Sequence, residues 1–167
     1  EGCFCCAGLG RVCDGADEVR RACRDEIRKG ARHIKLMVAG GVASPTDRIT
    51  STQFSVPEMT AAVEEAEAAE IYVLGHAYTA RAVNRALECG LRSIEHGNLM
   101  DESSADLFLE HDAFLVPTLS AFRGLADEGV EAGLPPELHA KVFDVLDAGM
   151  VALELAHRRG VRMVYGT

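Results

Sequence analysis

The feature that most constrains this chain is a repeated unit in which an apolar run meets a polar, ligand-type side chain and an amphipathic helix follows. A lysine interrupts Ile34-Lys35-Leu36-Met37-Val38, a histidine closes Ile71-Tyr72-Val73-Leu74-Gly75-His76, and another closes Leu91-Arg92-Ser93-Ile94-Glu95-His96. Two further apolar runs, Ala113 to Thr118 and Val161 to Tyr165, complete the series. Strands separated by helices do not pair as tight hairpins; they lie parallel, and the helices cover the sheet. When such a sheet closes into a (β/α)8 or TIM barrel, functional side chains gather at the carboxyl ends of its strands. The predicted fold class is therefore α/β, part of a TIM barrel.

Local signals set the boundaries of each unit. Val19, Ala22, Cys23, Glu26 and Ile27 keep helical spacing, and Gly30 stops that helix. After the lysine strand, a glycine-rich loop runs from Ala39 to Phe54, longer than a simple connection requires. Ser55-Val56-Pro57-Glu58 fits a capping box ahead of a helix with Met59, Ala62, Val63 and Ala66 on one face. Thr79 and Asp101 are placed to cap the next two helices. A loop around Gly124 to Pro136 is expected before a long helix whose stripe runs from Leu138 through Val142, Val145, Leu146 and Gly149 to Leu153. About five strands and five helices result, somewhat more than half of an eight-fold barrel.

Five parallel strands without closure leave two edges unpaired, an aggregation hazard. The chain also opens on Glu1 and stops at Val164-Tyr165-Gly166-Thr167, which reads as the end of a buried strand. A fragment is expected: one partial barrel over residues 1–167, with residues 1–14 an atypical cysteine-rich terminus.

Composition narrows the function classes. Across 167 residues, a net charge of -9 disfavours a nucleic-acid footprint, which needs a basic surface. No apolar run approaches the roughly 18–20 residues of a spanning helix, and no targeting signal is visible. A cytoplasmic enzyme acting on a small molecule, with no membrane or nucleic-acid partner and with homo-oligomerisation open, is the expectation. Cys3, Cys5, Cys6 and Cys13 crowd the start, but they lack the paired C-x-x-C spacing of a zinc ribbon and read as free or buried thiols.

The residues with chemical potential are Lys35, His76 and His96. An ammonium among apolar neighbours is poorly hydrated, and full burial lowers a lysine pKa by up to roughly 3–5 units. A neutral amine there could form a Schiff base, act as a base, or add carbon dioxide and become a carbamate able to bridge two metal ions. The competing reading has the lysine head reaching water at the barrel mouth. Singly, each strand-end histidine reads as a structural residue; with Lys35 on neighbouring strands they read as metal ligands. Tyr78, two residues beyond His76, is expected on the same side. Arg48 and Arg123 lie on strand-exit segments and could pair with a carboxylate. Glu95 is expected to alternate away from His96, and His33, His111, His139 and His157 are not read as ligands.

Lys35 ahead of Gly40-Gly41-Val42, then Gly75-His76-Ala77-Tyr78-Thr79, then Ser93-Ile94-Glu95-His96-Gly97-Asn98, resembles the metal-dependent amidohydrolase superfamily. Within it, the chain is most similar to the imidazolonepropionase-like and Xaa-Pro dipeptidase-like branch, over roughly Gly15 to Thr167. The resemblance implies a carboxylated lysine bridging two divalent metals, usually zinc, matched by Lys35. It implies second-metal histidines matched by His76 and His96, and a substrate contact matched by Tyr78. It also implies an aspartate ligand and general base after a Gly-Thr pair matched by Gly166-Thr167, so that no catalytic base lies within the chain. The His-x-His of the first strand has no match. The implied activity is hydrolysis of a C–N bond in a dipeptide or N-acyl amino acid by metal-activated water. A noncatalytic barrel fragment and a lysine Schiff-base lyase are the alternatives, the second needing no histidines on the next two strands.

Overall fold

The structure is a computed structural model that describes residues 10–166; Cys3, Cys5 and Cys6 lie outside the described residues. Eleven elements follow in order: α1 (Ala16–Arg28), β1 (His33–Met37), α2 (Val56–Ala68), β2 (Tyr72–Thr79), α3 (Ala80–Glu88), β3 (Ser93–Leu99), α4 (Glu102–Glu110), β4 (Phe114–Val116), α5 (Leu119–Glu128), α6 (Pro136–Arg159) and β5 (Arg162–Met163). The five strands are all parallel and lie side by side in chain order. Parallel strands in sequential order, each joined to the next through helix, form part of a TIM-barrel wall.

Capping explains where the helices begin. Glu58 accepts from the Ser55 amide at 2.6 Å and from its hydroxyl at 2.7 Å, and its other oxygen takes the Gly15 amide at 2.8 Å. One carboxylate therefore ties the starts of α1 and α2 together. Asp101 accepts from the Ser104 amide at 3.1 Å, and Thr79 from that of Ala82 at 3.4 Å. At the far end of α6, Gly160 adopts φ 77°, a left-handed turn that costs glycine little.

The main core fills the space between sheet and helices. Ile34, Leu36, Val73, Ile94 and Leu115 from the strands pack with Val19, Cys23, Met59, Ala62, Val83, Leu87 and Phe108 from the helices. Each large side chain buried there contributes about 1.5–3 kcal/mol. A second cluster is separate: Val42 and Ile49 of the β1 exit loop meet Tyr78, Phe122, Leu134, Leu138, Val142 and Val145.

Two expectations are corrected. The loop expected around Gly124 begins as helix α5, because burial of Phe122 outweighs a mid-helix glycine, which costs about 1 kcal/mol and here faces open space. The last strand is shorter than expected: β5 holds Arg162–Met163. Only Val161 of that run packs into the core.

Candidate active site

Register decides which side chains meet. Lys35 aligns with Leu74, Met37 with His76, and His76 with Glu95. Aligned residues in a parallel ladder point to the same face, so Lys35, His76 and Glu95 share the face opposite the helices. Ile34 and Leu36 flank Lys35 in sequence, but strand alternation turns them to the helix-packed face, so they do not enclose its side chain. Lys35 lies on the face of the histidines, on the adjoining strand.

His96 breaks the alternation. It aligns with Ala77, whose side chain is in the helix-facing core, yet its ring lies 4.7 Å from that of His76. The cause is local: His96 has φ 78°, Gly97 has φ 63°, and the β2–β3 register shifts between Ala77 and Thr79. A bulge of this kind re-aims a side chain, and the left-handed backbone at a non-glycine residue is strained. Glu95 and His96 consequently serve the same face, which corrects the expectation that Glu95 turns away. Burial raises the Glu95 pKa, with the charge of Lys35 acting in the opposite sense.

Each imidazole is anchored through one nitrogen. His76 Nε2 lies 3.2 Å from the Gly40 carbonyl, which can only accept, so Nε2 carries the proton and Nδ1 holds a bare lone pair. His96 Nδ1 lies 2.6 Å from Thr118 Oγ1; donation to that oxygen leaves Nε2 bare. Burial pushes the His76 pKa down to about 4, opposed by the Gly40 bond and aided by Lys35. Burial, then the charges of His76 and Lys35, holds His96 well below its ordinary value. Both rings are neutral at pH 7, the form in which imidazole binds metals.

Tyr78 lies among these rings, buried, 4.8 Å edge-on from His76 and stacked 5.2 Å from His96. Phe122 closes on both Tyr78 and His96. Among the described residues no group of three or more His, Cys, Asp or Glu side chains could hold a metal ion. The donor set is therefore the two imidazoles with Lys35 on the adjoining strand. In kind it fits a divalent metal, because each ring is held by an outer partner through one nitrogen: the Gly40 carbonyl fixes a lone pair on His76 Nδ1, and Thr118 can accept from His96 Nδ1 and leave Nε2 free.

The other candidates do not join the cluster. Arg48 is exposed, and Arg123 donates to Asp127 of its own helix at 2.7 Å. His33 stacks on Tyr72 at the opposite end of the strands, and His139 Nε2 donates to the Ala126 carbonyl at 2.9 Å. Sequence reading missed Thr118, Phe122 and Lys141. Lys141 donates to the main-chain carbonyls of Gly41, Ser44 and Asp47 at 2.9, 2.8 and 2.7 Å. The only available signal for it was a lysine near the start of a helix at the strand-exit end.

The profile of the amidohydrolase family matches residues 1–167. The chain belongs to this family. Ochratoxinase from Aspergillus niger is 37% identical to it over 163 residues, 96% of this chain and 34% of that protein. A solved prolidase in complex with N-methylphosphonate-L-proline superposes with a TM-score of 0.94 at 53% identity, covering 100% of this chain and 42% of the prolidase. A solved Xaa-Pro dipeptidase with methionine bound in its active site superposes with a TM-score of 0.84 at 32% identity, over 92% of this chain and 38% of that one. This amidohydrolase chain thus spans about a third of the curated relative and about two-fifths of the solved ones. Among its described residues no helix is long and apolar enough to cross a membrane.

Proposed function

We propose that the chain is the second-metal half of a metal-dependent amidohydrolase that hydrolyses the C–N bond of a dipeptide or N-acyl amino acid. One observation carries this reading: two imidazoles with ring centroids 4.7 Å apart on adjacent strand ends, each anchored through one ring nitrogen so that the other is left for a ligand. His76 and His96 would hold a divalent ion, with Lys35, as a carbamate, bridging to a second. Zinc suits the imidazole donors. Bound there, the ions supply water activation and polarisation of the scissile carbonyl.

The chain's own residues bind, orient and exclude water. Thr118 and the Gly40 carbonyl hold the rings in the required tautomers. Tyr78 and Phe122 wall the site on the side of the second core cluster, and Tyr78 is the side chain assigned to the substrate's carboxylate or carbonyl. Similarity to the prolidase and the Xaa-Pro dipeptidase favours substrates with a carboxyl-terminal proline. The free thiols Cys13, Cys23 and Cys89 support a reducing, cytoplasmic setting. Homo-oligomerisation, with no nucleic-acid or membrane partner, completes the reading.

The test is hydrolysis of Xaa-Pro dipeptides and N-acyl-prolines by the zinc-loaded full-length protein. The expected result is turnover abolished by chelation and reduced by more than about 100-fold by His76→Asn or His96→Asn, beyond the roughly 10–100-fold cost of outer-shell lesions. Turnover that persists in the double variant would overturn the reading.

A further inference from the structure

The β1 exit loop reaches the site through its main chain. Gly40 offers its carbonyl to His76, and a Cβ built on Gly41 would stand 3.8 Å from His76 Nε2. A Cβ on Gly40 itself would collide with the Arg48 carbonyl oxygen, so the two limbs of the loop touch at this point. The Gly40 amide donates to Ser51 at 3.1 Å and the Ser51 amide to Arg48 at 3.0 Å. Beyond this self-closure, apolar pegs Val42 and Ile49 hold the loop against α6.

Arg85 of α3 donates to the Phe54 carbonyl at 3.1 Å at the loop's far end, and Lys141, in the first turns of α6, ties its middle. A lysine ammonium has three donors and no acceptor, and here all three are taken by loop carbonyls, those of Gly41, Ser44 and Asp47. These bonds bring together segments about a hundred positions apart, as the 100-residue separation of Lys141 from Gly41 shows. Charge-assisted bonds are roughly twice as strong as neutral ones, and a partly buried ammonium cannot leave them without losing solvation. Pairing with carbonyls, not a carboxylate, leaves the loop its positive charge while fixing its shape.

We propose that Lys141 is a positioning residue for the active site: by pinning the β1 exit loop to α6, it sets the Gly40 carbonyl that fixes the His76 ring. The activity part of the test rests on the hydrolytic reading above; the structural parts do not.

Lys141→Met keeps the length and apolar stem of the side chain but removes every donor. In the full-length protein, amide exchange across residues 40–53 is expected to accelerate roughly tenfold or more, while β2 and β3 stay protected. The His76 ring nitrogens, followed by 15N NMR in metal-free protein, should lose the single Nε2–H tautomer. In zinc-loaded protein, kcat should fall on the order of 10-fold to 100-fold at unchanged metal content, with less effect on KM. Lys141→Arg, which keeps charge and donors but not their geometry, should recover part of the loop protection. Unchanged exchange over 40–53, or faster exchange with the His76 tautomer intact, overturns the proposal. Absence of turnover in the unmodified protein counts against the hydrolytic reading, while exchange and the His76 spectrum still decide the role of Lys141.

Discussion

The two core clusters of this molecule are built by different rules. The main core, between sheet and helices, takes its residues from strand alternation and helical stripes: Ile34, Leu36, Val73, Ile94 and Leu115 of the strands pack with helix residues that include Ala152, Leu155 and Ala156 of the distant α6. The second cluster, beside the histidines, joins Val42 and Ile49 of one loop to Leu134, Leu138, Val142 and Val145 far along the chain. The first is a scaffold in which strands and helices supply the side chains. The second is a smaller site wall in which the β1 exit loop supplies Val42 and Ile49, with Tyr78 and Phe122 as its inner lining. Structure that positions chemistry here thus depends on a loop, where structure that only supports the fold rests on regular elements.

Damage to the two clusters should therefore differ in kind. The largest effect is expected for Phe108→Ala in the main core: a loss of about 3–5 kcal/mol in global stability by chemical denaturation of the full-length protein. A cost below 1 kcal/mol would show that the scaffold does not depend on that core. Gly97→Ala comes next, because the residue sits at φ 63° and an added Cβ would stand 2.7 Å from Leu115 Cδ1. About 1–3 kcal/mol should be lost, and zinc affinity with it, since the same backbone turn aims His96. Retained affinity would separate the bulge from the site.

Ile49→Ala probes the wall. The expected cost is about 2 kcal/mol, read chiefly as faster amide exchange over residues 40–53 with the exchange of β2 and β4 unchanged. If exchange instead rises evenly throughout, the two clusters are one cooperative unit and the distinction fails. The smallest effect is at Glu58. Hydrogen bonds from the Ser55 amide, the Ser55 hydroxyl and the Gly15 amide hold its pKa below the ordinary value of 4.5. A carboxyl group with a depressed folded pKa contributes stability that is present above about pH 4.5 and is lost as pH falls through the folded value. Glu58→Gln should cost about half a kcal/mol near pH 7, a difference in melting temperature that shrinks as the pH is lowered below about 4.5 and through the folded pKa.

The same contrast explains what the sequence disclosed. The alternation of strands and helices, the capping roles of Glu58, Thr79 and Asp101, and the stop at Gly160 are consequences of short-range chemistry, and all are visible in the residue pattern. The nearness of His76 to His96 followed from motif resemblance, but its cause did not: strict alternation would have sent His96 to the helix face, and only the left-handed turn at His96-Gly97 prevents this. For Lys35 the residue pattern left burial and a head reaching water both open, because apolar neighbours in a strand face away from the residue they flank. Thr118 and Lys141 were not legible, because each acts on a partner at least twenty residues away, 22 for Thr118 and His96, and no local period encodes that contact. Helix α5 was missed because Gly124 signals a break that the burial of Phe122 overrides.

The central claim is that His76 and His96 are joint ligands of one divalent ion. Zinc stoichiometry of the full-length protein, measured by elemental analysis after dialysis for the unmodified chain, His76→Asn, His96→Asn and the double variant, tests it most directly. The account predicts that each single variant and the double variant lose the same one equivalent per chain, with circular dichroism unchanged. Full zinc content in the double variant would contradict it.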